Sequence, residues 1–119
     1  MASLADLEAI CLALPQVTGE GANFAVGRKA LCWPYLARTT PRARREAVPG
    51  VLAIRSALET QDMLIAAAPD RFFDDDHYRG YPAVLARLDA VGVDELQGLL
   101  RSAWRLQATP ALLKAHNTP

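Results

Sequence analysis

The stretch from Phe72 to Asp89, FFDDDHYRGYPAVLARLD, gathers the side chains with the most chemistry to offer. Asp74, Asp75, Asp76 and His77 are all cation ligands by type. Their spacing argues against a shared ion, because successive residues of an extended chain point to opposite faces. An EF-hand loop needs Asp-x-Asp-x-Asp-Gly and a distant Glu. A transition metal needs a second histidine at helical or strand spacing, and His116 lies far along the chain. The expectation is a solvated turn between Phe72-Phe73, anchored in the core, and a following strand. No metal or other cofactor is expected. Ser3, Ser56 and Ser102 lack a Gly-x-Ser-x-Gly setting, and Gly19-Glu20-Gly21 lacks the Lys-Ser/Thr of a phosphate loop. No catalytic set emerges, and the chain reads as a non-enzyme.

A second set is Trp33, Tyr35, Arg55 and Arg87, with His77, Tyr78 and Tyr81 nearby. An arginine inside a strand must leave the core side of its sheet or find a partner. Beside aromatics, Arg55 and Arg87 would build an open sheet face for a nucleic-acid backbone or bases, or a groove for a protein or small ligand. The plainer alternative puts Trp33 in the core and each arginine on a carboxylate such as Asp89. A third set is purely basic: Arg28, Lys29, Arg38, Arg42, Arg44 and Arg45. With Arg55 these are seven basic residues against Glu46 alone between positions 28 and 55, while the rest of the chain carries six basic and twelve acidic residues. Zero net charge removes any general attraction to polyanions, so phosphate contacts would have to come from this middle segment.

The elements that must position these residues follow from periodicity. Ser3 and Asp6 start a helix whose stripe is Leu4, Leu7, Ile10, Cys11 and Leu14, ended by Pro15. Strands are expected at 23–26 and 30–36, joined by a Gly27-Arg28-Lys29 turn that would lift Arg28 and Lys29 to a hairpin tip. Pro34 marks an edge or a bulge. The segment ARTTPRARREAVPG reads as a basic loop, followed by a strand at 50–57. A helix at 59–68 turns Met63, Leu64 and Ala67 inward, and a strand spans 83–89, with Gly80 permitting the bend before it. Asp94 and Glu95 suit the first turn of a long helix striped with Leu96, Leu99, Leu100, Ala103 and Trp104. Thr109 caps a last helix at 110–116. The order α-β-β-β-α-β-α-α implies an α+β domain, an antiparallel sheet of at least four strands with helices on one face.

The totals fit one such domain over residues 1–119: 51% of residues are hydrophobic and 22% charged. No run approaches the length of a membrane span, and the N-terminal segment lacks the basic start and cleavage site of a signal peptide. A cytoplasmic monomer that avoids membranes is expected. Cys11 and Cys32 have no metal-binding or redox spacing and read as buried thiols.

Four segments, ALPQVTGEG, VGRKALCW, AAAPDRFFDDDHYRGYPAVLARLD and VDELQGLLRSAWRL, together resemble the MmcQ/YjbR family of small bacterial proteins across nearly the full length. The third is the most specific. The resemblance implies a CyaY-like, frataxin-related α+β fold and DNA binding by hairpins in a double-wing arrangement. Two departures stand out. Tyr81-Pro82 replaces the Trp-Val or Trp-Thr of relatives, and Ala108-Thr109-Pro110-Ala111-Leu112 lacks the two basic residues that many carry there. Weak, non-specific DNA binding is therefore the leading expectation, and a protein-interaction or small-ligand module the alternative.

Overall fold

In the computed structural model, which describes residues 1–37, 40 and 42–116, the strands form one six-stranded sheet in the order β1-β2-β3-β4-β6-β5, every neighbouring pair antiparallel. The strands are β1 (Val17–Glu20), β2 (Asn23–Val26), β3 (Lys29–Ala37), β4 (Glu46–Arg55), β5 (Phe72–Phe73) and β6 (Ala83–Arg87). The helices α1 (Leu4–Ala13), α2 (Leu58–Ala67), α3 (Val93–Gln107) and α4 (Pro110–Ala115) pack on one side of it, and a short 3-10 helix spans Leu88–Ala90. The α+β class and its one-sided helical layer are as the sequence implies.

Local chemistry accounts for the helix starts. Ser3 and Asp6 form a reciprocal capping box: Asp6 N–H donates to Ser3 Oγ at 3.2 Å, and Ser3 N–H donates to Asp6 Oδ2 at 2.9 Å. Thr109 Oγ1 accepts from Leu112 N–H at 3.1 Å. Leu7 and Cys11 of α1 and Leu96, Leu100, Ala103 and Trp104 of α3 meet Phe24, Leu52, Ile54 and Val84 in one apolar core. Trp104 also donates Nε1–H to the Pro15 carbonyl at 2.9 Å, tying α3 to the end of α1.

Several expectations are corrected. Leu4 is exposed, and Ala2 is buried in the N-terminal segment instead. Helix α2 turns Gln61 inward, flanked by half-buried Leu64 and Ile65, while Met63 and Ala67 face out. The inward stripe is thus Gln61, Leu64, Ile65 and Ala68, a polar residue heading an i, i+3, i+4, i+7 series. Strand β4 starts at Glu46, inside the segment read as loop, and ends at Arg55. The last strand stops at Arg87.

Strands β1 and β5 are additions. β1 buries only Val17 and contains Gly19, whose φ is +151° and whose missing Cβ would fall 2.0 Å from the Asn23 carbonyl oxygen. Pro34 lies on a central strand, at the place where the β3–β4 register jumps from Pro34↔Leu52 to Leu36↔Ala47. It is tolerated there because the ladder is already broken.

That jump shapes the sheet. Strand β6 pairs with β4 only from Val51 to Arg55, and β2 pairs with β3 only from Lys29 to Cys32. Past those points β3 and β4 pair only with each other. They run on as a two-stranded arm, closed by the pairs Leu36↔Ala47 and Ala37↔Glu46.

Candidate functional site

The sheet face away from the helices is covered by the chain itself. Trp33, Tyr35, Val51, Ala53, Ala83 and Leu85 share that face, and Tyr78 is packed onto them from the loop 74–82. Asp75 fastens the loop. Its Oδ2 accepts from the Tyr35 hydroxyl at 2.5 Å, and its Oδ1 accepts from Tyr78 N–H at 2.9 Å. Asp74 and Asp76 instead face Arg79, at 3.8 and 3.3 Å. The three aspartates thus diverge, and among the described residues no cluster of three His, Cys, Asp or Glu side chains is placed to hold a metal.

Gln61 holds the same loop from below. Its Nε2 lies 3.0 Å from the Tyr78 carbonyl, 3.0 Å from that of Tyr81 and 2.6 Å from that of Ala83. At 2% exposure it is the most buried polar side chain among the described residues. Sequence reasoning missed it, although a glutamine at the head of an otherwise apolar stripe was the available signal. Gly80, at φ +78°, makes the bend as expected.

The anticipated groove is therefore only partly assembled. Tyr35 and Tyr78 are buried and form the floor rather than an open surface. Trp33 donates Nε1–H to the Tyr78 hydroxyl at 2.9 Å. Arg55 lies between Trp33 and Tyr81, its guanidinium carbon 5.2 Å from each ring centre, and donates to the Pro82 carbonyl and, at 3.4 Å, to the Tyr81 hydroxyl. His77 stacks on Tyr81 at 6.2 Å, and both are exposed.

Arg87 is not part of this group. It sits at the opposite end of the β4–β6 ladder, 4.3 Å over Phe73, and donates to the Pro69 and Asp70 carbonyls rather than pairing with Asp89. What remains at the surface is a Trp33–Arg55–Tyr81–His77 row, with Tyr81 and His77 exposed and Trp33 and Arg55 half-buried.

The basic residues divide between the two ends of β3. Arg28 and Lys29 are exposed at the β2–β3 turn, as expected for a hairpin tip. Arg42, Arg44 and Arg45 follow the arm at the other end, about 30 Å away for nine residues of strand. Arg42 and Arg44 are exposed, whereas Arg45 is half-buried and donates to the Leu36 carbonyl at 3.2 Å. Arg38 lies outside the described residues. Cys11 and Cys32 are buried free thiols, and hydrogen bonding to Cys11 together with burial pushes the Cys32 thiol up, away from reactivity. No described helix is long and apolar enough to cross a membrane.

No family model matches the chain. Two curated relatives, uncharacterized protein Rv2570 of Mycobacterium tuberculosis and uncharacterized protein Mb2600 of Mycobacterium bovis, are each 36% identical over 124 residues, covering 97% of this chain and 95% of theirs. A crystal structure of Deinococcus radiodurans protein DR2400, described with a DUF419 domain, covers all of this chain and 91% of that one, with a TM-score of 0.61 and 22% identity. The fold is thus one seen in a small bacterial protein. The chain belongs to the family of the two mycobacterial proteins.

Proposed function

We propose that this is a non-enzymatic protein of the MmcQ/YjbR type that binds nucleic acid weakly and without sequence preference, through the β3–β4 arm. The observation that carries the reading is the arm itself. Two strands leave the sheet, and the chain joining them presents Arg42 and Arg44 to solvent before any acidic residue intervenes. A protruding basic hairpin reaches phosphates without the body of the protein having to approach the duplex. That matters here, because the body is net acidic outside residues 28–55.

Arg28 and Lys29 act as a separate, secondary contact. The Trp33–Arg55–Tyr81–His77 row does not serve as a base-stacking platform, since Asp74 and Asp76 belong to the same loop and would repel a phosphate chain.

The test is fluorescence anisotropy with labelled duplex and single-stranded DNA across a salt series. Contact with about three phosphates gives a slope of log K against log[salt] near −3, at about −0.9 per phosphate. Replacing Arg42→Ala and Arg44→Ala together should flatten it by about 2. Absence of salt-dependent binding at low ionic strength would overturn the reading in favour of a protein- or ligand-binding module.

A further inference from the structure

At the end of β4 remote from the arm, the first turn of α2 and the second half of α3 enclose a cleft of about 260 Å³. Its apolar wall is Leu99 and Leu106, its hydroxyl-bearing residues are Ser56, Thr60 and Ser102, and its cation is Arg105; Arg55 borders it, but its guanidinium is held between Trp33 and Tyr81 on the other face of the sheet. Among the described residues no acidic side chain lines it. We propose that this cleft is a receptor for a small organic anion with a short apolar tail, its headgroup a carboxylate or a phosphate ester.

Three independent features converge on an anion. Helix α2, ten residues long, begins at the cleft with Ala57 as its N-cap, so no side chain accepts from the N–H groups of its first turn. Those donors and the positive end of the helix dipole favour a negative group. Ser56 is 5% exposed, and its Oγ is closed to water with no hydrogen-bond partner. A buried hydroxyl left without a partner is costly and points to a group that is missing. Arg105 is exposed and has no carboxylate partner among the described residues.

The volume is below the usual range for drug-sized ligands, which limits the occupant to a small molecule. Leu99 and Leu106 set the preference for an apolar tail over inorganic phosphate. The site is separate from the arm, since Arg55 ends β4 and the arm contains its beginning.

The experiment is a nitrogen-edited NMR titration of the full chain in buffer free of phosphate and carboxylates, with hexanoate, hexyl phosphate and hexylamine as probes. Either anion should shift the Leu58, Glu59 and Thr60 amides saturably, and whichever binds more tightly identifies the headgroup. Arg105→Glu should weaken that binding at least tenfold, and Ser102→Trp should abolish it by filling the mouth. Both positions are exposed, so the fold should survive the changes. Arg42→Ala with Arg44→Ala should leave it unchanged, which separates this proposal from the nucleic-acid reading. The proposal is overturned if neither anion gives a saturable shift, if hexylamine binds as well as the anions, or if Arg105→Glu and Ser102→Trp leave the affinity untouched.

Discussion

Asp75 shows how little a residue's type reveals when three copies stand in a row. Only it turns under the loop, where burial pushes its carboxyl up but hydrogen bonds from the Tyr35 hydroxyl and the Tyr78 and His77 N–H groups outweigh that and hold it below its ordinary value. A carboxyl lowered by folding stabilises the fold above its unfolded value, near 3.9, and loses that contribution as pH falls through the folded one. Tyr35 is its counterpart: burial first, then the bond to Asp75, raises it to about 12. Its contribution is complete below about pH 10 and lost as pH rises towards 12. Asp75→Asn should therefore lower stability at pH 7 by about 1.5–3 kcal/mol, the worth of a hydrogen bond to a charged group. It should also flatten the loss of stability below pH 4. Asp74→Asn and Asp76→Asn, whose ion pairs share the exposed Arg79, should each change it by less than about 1 kcal/mol. Urea midpoints across pH 3–12 measure all of this. The sequence could suggest a turn here, but not which aspartate holds it, because the partner hydroxyl is 40 residues away.

At the scale of elements, legibility followed the number of buried side chains that repeat with one period. Helix α3 carries four buried residues on one stripe and was readable directly, Trp104 included. Strand β1 buries one side chain and β5 has two residues in all, so neither offers a period to read. Helix α2 misled because Met63 is apolar and Gln61 is not, yet only Gln61 meets carbonyls that need a donor. Trp104 supplies the sharpest test of an element's docking. Trp104→Ala should cost about 3–5 kcal/mol through the cavity it leaves. Trp104→Phe keeps most of the bulk but leaves the Pro15 carbonyl without its donor, and should cost clearly less. Urea unfolding monitored by circular dichroism distinguishes the two; an unchanged midpoint for the alanine variant would contradict the packing of α3 against the end of α1.

Across the whole molecule, the sheet has two cores of unequal kind. One is apolar under four helices, and the other is aromatic under a single loop. The class of fold was legible, because helix and strand patterns alternate in an order that permits few arrangements. The candidate surfaces were legible only as lists of residues: sequence alone could not show that Arg28 and Arg42 sit at opposite ends of β3, nor that the loop carrying His77 would roof the face it was expected to leave open. Among the described residues the side-chain hydrogen bonds from the helices to that roof come from Gln61, and this makes the first turn of α2 and the loop 74–82 a single cooperative unit in local unfolding. Amide hydrogen exchange should find Tyr78, Tyr81 and Ala83 opening together with the α2 backbone, with similar protection. Gln61→Leu should speed exchange in the loop while leaving α3 protected; independent protection of loop and helix in the unmutated protein would show that the fastening is not shared. By linkage, whatever quiets the start of α2 on one side of the sheet also slows the breathing of the aromatic layer on the other.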